Sequence, residues 1–195
     1  GCGVEKGGVL TEVFGGVMSY CCDRSRSITW GIKGGLPSIP QGAIIHPDSE
    51  NEEFLGTIFS NVPVKKGDSF TRPSAGGGGL GDPLKRDVNA VLEDVIDEYV
   101  SIERARKDYG VVINEINRDL DLFEIDYEAT EKEREYIRKN RKAWLSVCPY
   151  EVEKMYKNGE INQMDVIRRY GVVMDYTTNQ VLIKSTEQYR EAMLK

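Results

Sequence analysis

The chain has 195 residues, a length that suits one domain of ordinary size or two small ones. Hydrophobic residues make up 39% of it and charged residues 30%, which excludes both a wholly disordered chain and an integral membrane protein. The net charge of −6 disfavours general attraction to nucleic acid or to an anionic lipid surface. Composition therefore predicts an acidic, soluble, globular protein that binds neither nucleic acid nor membrane.

The cysteines and the single histidine predict a protein without a metal site of its own. Cys21 and Cys22 are adjacent, Cys2 and Cys148 are far away, and no C-x-x-C spacing occurs. We expect reduced thiols, buried as small apolar residues, in a cytoplasmic protein. His46 precedes a proline and is expected in a surface turn, so no metal ligand is predicted.

The composition changes at Asp87. Residues 1–86 hold 17 of the 20 glycines and 6 of the 7 prolines, whereas residues 87–195 carry 17 basic and 23 acidic side chains. Glycine and proline favour turns and disfavour helix interiors. The sequence therefore predicts an α+β fold, with a β-rich segment over 1–86 that ends in a Gly-rich loop and a mainly helical region over 87–195.

Short strands are predicted in the first half from its apolar and β-branched runs. These runs are Gly8–Phe14, Gly16–Cys22, Ala43–Ile45 and Phe54–Val62. A segment as long as Gly31–Gln41 without regular structure is unusual in a self-contained domain of this size. We therefore expect the first half to be the end of a larger β body.

Helix boundaries are easier to place in the second half. Asp87 is predicted to cap a first helix, and Ser101 a second helix that ends at Gly110. A small strand is expected over Val111–Ile113. The capping-box spacing Thr130-x-x-Glu133 predicts the start of a charged helix that runs to Leu145 and ends before Pro149.

Two stretches of the second half resemble each other. They are EYVSIERARKDYGVVIN (98–114) and KNGEINQMDVIRRYGVVMD (157–175), and both predict helix, turn, short helix and strand. Gly110 and Gly171 are expected to have positive φ at the helix ends. A DNA-reading helix-turn-helix is disfavoured, because the second helix offers only Arg168 and Arg169 as cations.

The sharpest local motif is RPSAGGGGLGDP over residues 72–83. Consecutive glycines let backbone N–H groups converge on an anion or let a substrate approach the main chain closely. The candidate binding residues are Arg72, Gly76, Gly77, Gly78, Gly79, Gly81 and Asp82. A flexible hinge between the two halves is the alternative interpretation, and no catalytic residue is assigned.

Residues 72–113, from RPSAGGGGLGDP to DYGVVI, resemble the C-terminal signature of the hydantoinase B/oxoprolinase family. The upstream segment CDRSRSITWGIKGGLPSIP (22–40) is similar to the same family's W-G-x-x-G-G-x-P segment. The tail, with RKAWL and STEQYREAML, resembles the large family-B subunit of acetone carboxylase. Because full family-B chains are several times longer, the resemblance implies a C-terminal portion or a split subunit.

The resemblance implies ATP-dependent chemistry on a carbonyl or amide group. The first hypothesis is an acetone-carboxylase-like complex that makes acetoacetate from acetone and bicarbonate. The alternatives are an ATP-dependent component that hydrolyses a hydantoin or oxoproline, and a non-catalytic docking module. ATP and a divalent metal (Mn or Mg) would then be held by a hydantoinase A-type partner subunit and by the rest of the B-type subunit. No cofactor is expected on this chain, and a small third subunit is a further expected partner.

Overall fold

The computed structural model describes residues 3–12, 15–24 and 28–194. Its strands are β1 (Val4–Val9), β2 (Gly16–Cys21), β3 (Ala43–Ile45), β4 (Glu53–Gly56), β5 (Ile58–Val64), β6 (Ser69–Ser74), β7 (Ile113–Asn117), β8 (Leu122–Ile125), β9 (Met174–Asp175) and β10 (Gln180–Val181). Its α-helices are α1 (Val88–Ile96), α2 (Ile102–Tyr109), α3 (Tyr127–Trp144), α4 (Pro149–Lys157), α5 (Gln163–Arg168) and α6 (Ile183–Leu194). Short 3-10 turns cover Pro83–Lys85 and Arg118–Leu120. The predicted α+β class is confirmed.

The first half contains an antiparallel sheet in the order β1-β6-β3-β4 and a separate β2–β5 pair. The strand predicted over Gly8–Phe14 was misplaced, since β1 ends at Val9 and residues 13–14 lie outside the described chain. The pairing of β1 with β6 ends at the turn before β6. There the Leu10 amide donates to the Asp68 carbonyl at 2.9 Å, and the Gly67 amide donates to the Leu10 carbonyl at 2.8 Å.

The single strand predicted over Phe54–Val62 is two strands, β4 and β5. Gly56 separates them with a φ of 76°, a left-handed conformation that bends the chain out of the first sheet. Strand β6, which carries Arg72, was not predicted at all. Its run of Ser, Thr, Arg and Pro lacks the alternation that marks a strand, and its pairing partners come from distant segments.

The helix starts at Asp87 and Ser101 are confirmed. The Asp87 carboxylate accepts from the Asn89 amide at 2.9 Å, and the Ser101 hydroxyl accepts from the Arg104 amide at 3.1 Å. The predicted capping box at Thr130 was wrong. The cap of helix α3 is Asp126, four residues earlier, and the hydroxyl of Thr130 instead accepts from the Val112 amide at 3.0 Å.

The two similar stretches of the second half end their short helices alike. Gly110 and Gly171 have φ values of 63° and 61°, as predicted. In each case an arginine from a later helix donates to the carbonyl of the preceding tyrosine. Arg134 reaches Tyr109 at 3.2 Å, and Arg190 reaches Tyr170 at 3.0 Å.

The buried core lies mainly in the second half and reaches into the first. One cluster joins α1, α2 and the β7–β8 pair, and a second joins α4, α5 and β9. A third cluster buries Ile28 of the first half against Ile167, Val173 and Tyr189. The two regions of different composition therefore share a hydrophobic interior.

The cysteines depart from expectation. Cys21 and Cys148 are exposed and Cys22 is partly buried, all three as free thiols, while Cys2 lies outside the described residues. Both exposed cysteines sit where the chain leaves a regular element, one at the end of β2 and one just before α4. His46 occupies a turn with φ 52°, as expected. Among the described helices, none has the length and apolarity needed to cross a membrane.

Candidate functional site

A cleft of about 870 Å³ separates the Gly-rich loop from the helices that follow it. One wall is formed by Gly76–Gly79 and by residues 36–39. The opposite wall carries charged side chains from α1, α2 and α5. The cleft therefore places an exposed main chain opposite fixed charges.

The glycine wall is held by its own backbone. The Gly79 amide donates to the Leu36 carbonyl at 2.8 Å, and the Gly79 carbonyl accepts from the Ile32 amide at 2.8 Å. A Cβ added to Gly78 would lie 1.7 Å from the carbonyl oxygen of Trp30. These glycines allow two stretches of main chain to pack directly against each other.

The charged wall centres on two carboxylates that are almost fully buried. Arg104 contacts Asp165 at 3.1 Å and Asp108 at 3.5 Å, and Arg168 also pairs with Asp108. The carboxylate side chains keep only 4% (Asp108) and 8% (Asp165) of their surface exposed. Buried carboxylates fix the positions of the guanidinium groups, which therefore reach the cleft already oriented.

Arg86 forms the rim of the cleft. Its guanidinium pairs with Asp94 at 2.6 Å and lies 6.0 Å from the centre of the Tyr109 ring. Burial and the nearby Asp108 carboxylate raise the pKa of Tyr109, so this phenol stays neutral at physiological pH. Three guanidinium groups, from Arg86, Arg104 and Arg168, therefore line the cleft together with four carboxylates, from Glu5, Asp94, Glu98 and Asp108.

The sequence-predicted binding residues are only partly brought together. Gly76, Gly77, Gly78 and Gly79 line the cleft, whereas Arg72, Gly81 and Asp82 are not among its lining residues. Arg72 lies on β6 with its guanidinium 5.5 Å above the Tyr20 ring. Gly81 occupies a left-handed turn with φ 81°.

Asp82 has a structural environment of its own. It caps the 3-10 turn by accepting from the Leu84 amide at 3.1 Å, and it pairs with Arg141 at 3.0 Å. Burial raises the pKa of this carboxyl, but the hydrogen bonds from Arg141 and Leu84 outweigh burial and lower it overall. Asp82 therefore ties the end of the Gly-rich loop to α3.

Sequence reasoning missed the charged wall. Arg104, Asp108 and Arg168 come from helices on which they read as ordinary surface charges. A signal was nevertheless present, because Arg104 and Asp165 occupy equivalent positions in the two similar stretches and carry opposite charges. Within the ranges that the structure describes, no three His, Cys, Asp or Glu side chains form a group that could hold a metal ion.

Comparison with known proteins finds a family match in the N-terminal part of the chain and several similar proteins. Residues 1–83 match the family model described as Hydantoinase B/oxoprolinase. The beta subunit of caprolactamase from Pseudomonas jessenii is 38% identical over 84 residues, which are 43% of this chain and 14% of that protein. A protein described as the B component of a D-/L-hydantoinase, from a Pseudomonas species, is 31% identical over 121 residues, 61% of this chain and 19% of that one. The chain is therefore related to B-type or beta subunits of such enzymes.

One solved structure agrees with this relationship. The ATP-dependent caprolactamase from Pseudomonas jessenii superposes on 69% of this chain and 23% of that one, with a TM-score of 0.52 and 29% identity. A nucleotide-free acetone carboxylase superposes on 83% of this chain and 24% of that one, but its TM-score of 0.48 at 21% identity is too low to support an argument. The chain spans about a fifth or less of the length of the two named curated relatives.

Proposed function

We propose that this chain is the C-terminal part of a B-type subunit in an ATP-dependent complex that acts on a carbonyl group, and that the cleft forms part of its active site. One observation carries the proposal. The region that matches the family, residues 1–83, includes the whole Gly-rich wall of the cleft. Helices α2 and α5, which lie beyond that region, supply the opposite wall.

The chemistry of the cleft suits a carbonyl that becomes anionic. Attack on an amide, or its activation by ATP, places negative charge on oxygen atoms as the reaction proceeds. Arg86, Arg104 and Arg168 lie on the charged wall of the cleft, which such oxygens would face. Because Asp108 and Asp165 hold two of these guanidinium groups in place, little reorganisation is needed as charge develops.

A cyclic amide is the substrate class that the relatives favour. The names of both curated relatives describe components of enzymes that act on ring amides, a lactam and a hydantoin. Amide carbonyls are poor electrophiles, so coupling their opening to ATP has a chemical reason. The cleft is large enough for a small heterocycle.

Carboxylation of acetone is the second candidate function. It rests on the resemblance of the tail, residues 141–195, to the large acetone carboxylase subunit. The phosphorylated intermediates of such a reaction would also be anionic, so the same guanidinium groups would serve it. The two candidates differ in substrate and product and not in the role of the cleft.

The remaining chemistry is proposed to lie on other segments and subunits. The names of the two curated relatives each describe one component of a larger assembly. We propose that a hydantoinase A-type partner binds ATP, and that the rest of the B-type subunit holds a divalent metal, Mn or Mg. The cleft described above would then close against those parts.

Reconstitution tests these proposals. The complete B-type subunit, purified with its A-type partner, would be given ATP and either a cyclic amide (hydantoin, 5-oxoproline or caprolactam) or acetone with bicarbonate. We expect ADP together with the ring-opened acid. Acetoacetate would instead support the second candidate. If neither the cyclic amide nor acetone with bicarbonate led to ADP formation, the proposed function would be contradicted. If the isolated 195-residue chain formed acetoacetate or opened the ring, the proposed division of labour between subunits would be contradicted.

A further inference from the structure

A second, much smaller cavity lies behind the charged wall of the cleft. Its volume is about 30 Å³, and it sits where α2, α3 and α5 meet the residues before α1. Six ionisable side chains line it: Lys107, Asp108, Arg141, Asp165, Arg168 and Arg169. Four of these are cations and two are carboxylates, an unusual excess in a chain whose net charge is −6.

The lining of the cavity keeps an excess of positive charge when the ion-pair partners of its residues are counted as well. Lys107 also pairs with Glu103 at 2.7 Å, Arg141 pairs with Asp82 at 3.0 Å, and Asp165 pairs with Arg104. Five cations then face four carboxylates, which leaves one positive charge in excess.

Two of the lining cations are incompletely paired, although Arg168 contacts Asp108 through one of its terminal nitrogens. The buried Nε of Arg168 has no hydrogen-bond partner among the described residues. Arg169 is half-buried, stacks on the Trp144 ring at 4.6 Å from its centre, and forms no ion pair with any carboxylate in the described part of the chain. A buried N–H without an acceptor is costly, and a nearby counter-charge stabilises a half-buried cation such as Arg169.

We infer that this cavity binds a single small monovalent anion, of the size of chloride. The volume would hold about two water molecules, which suits a monatomic anion and excludes a nucleotide phosphate chain. One negative charge balances the one excess positive charge, and the anion gives the Arg168 Nε its missing acceptor. Water alone could accept that hydrogen bond but would leave the charge uncompensated.

The anion would also fix side chains of the charged wall of the cleft. Arg168 and Asp108 line both cavities, so an ion on one side of Arg168 orients the guanidinium that faces the other side. The anion site follows from the volume, the charge and the unpartnered N–H of the cavity. It does not depend on which reaction the cleft performs.

Bromide is the probe for the test, because it mimics chloride and scatters anomalously. Thermal unfolding of the chain would be followed while bromide replaces gluconate, an anion too large for the cavity, at constant ionic strength. We expect about 200 mM bromide to raise the Tm by about 3 °C. Arg169→Met should abolish this increase, whereas Arg138→Met, which removes an exposed cation from α3, should keep it.

Diffraction from crystals grown in bromide provides the second measurement. We expect an anomalous peak in the cavity, within hydrogen-bond reach of the Arg168 Nε, that disappears in the Arg169→Met variant. A cavity that contains only water at the same bromide concentration would overturn the inference. A rise in Tm with bromide that stays the same in both Arg169→Met and Arg138→Met would also overturn the inference.

Discussion

The guanidinium of Arg104 lies 3.1 Å from the carboxylate of Asp165, and the two residues occupy equivalent positions, 61 residues apart, in two similar stretches of the chain. Tyr109 and Tyr170 are equivalent in the same way. A pair of identical helices meeting at this point would bring like charges together. Because the two stretches differ here, α2 and α5 instead meet through a buried ion pair whose arginine lines the cleft.

Asp165→Asn should destabilise the protein strongly. The Asp165 carboxylate accepts from Arg104 and Lys107, and its loss leaves buried positive charge without compensation. We expect the free energy of unfolding to fall by about 3 kcal/mol in urea denaturation. Glu103→Gln is the matched control, because Glu103 pairs with the same lysine at the surface and should cost at most about 0.5 kcal/mol. If both variants lost the same free energy of unfolding, burial of the Arg104–Asp165 ion pair would be unimportant for stability.

Gly110→Ala should be more destabilising than Gly159→Ala. Both glycines have positive φ, 63° and 73°, so alanine is strained at either position. At Gly110 the new Cβ would also lie 2.7 Å from the Cγ of Arg134, whereas at Gly159 it would meet nothing within 4 Å. We expect losses of about 2 kcal/mol and about 1 kcal/mol in equilibrium unfolding. A larger loss at Gly159 would contradict the packing role assigned to Gly110.

Gly77→Ala should lower catalysis in the complete complex. If backbone N–H groups of the Gly-rich loop approach the reacting oxygens, a Cβ would occupy that space. We expect kcat to fall about tenfold, equivalent to about 1.4 kcal/mol, with assembly intact by native mass spectrometry. Gly78→Ala, for which the sequence predicts the same loss, would in addition push against the Trp30 carbonyl and reduce stability.

The control for the loop is Gly8→Ala. Gly8 lies on the exposed strand β1, and a Cβ there would meet nothing within 4 Å. This variant should keep wild-type kcat. If Gly77→Ala also turns over at the wild-type rate, the loop is a linker and not part of the site.

Asp82→Asn should reduce the acid sensitivity of the fold. The lowered pKa of Asp82 means that its charged form stabilises the folded state, fully so above the unfolded value near 3.8. That contribution is lost as the pH falls through the lowered folded value. We expect the variant to be less stable than wild type by about 1 kcal/mol at neutral pH and the difference to shrink below about pH 4. Asp119→Asn, at an exposed position, should show no such convergence in urea titrations at both pH values.

Most of the helical half could be predicted because its helix ends depend on neighbouring residues. The features that were missed depend on contacts between residues that are distant in sequence. Asp87, Ser101 and Gly110 act on residues within five positions of themselves, so their roles can be inferred from the sequence. Strand β6 depends on β1 and β3, and the Thr130 hydroxyl serves the distant Val112 amide instead of its own helix. The Gly-rich wall was visible as a motif, but the charged wall arises only when α2 and α5 meet.

The burial of Ile28 between Ile167 and Tyr189 has a consequence for how the molecule responds to stress. A residue from the glycine-rich half completes the interior of the helical half, so neither half can melt without exposing apolar surface of the other. Unfolding should therefore follow a single cooperative transition. The two walls of the cleft would separate only when the whole fold is lost, and a cut near Asp87 would not release two independent folding units.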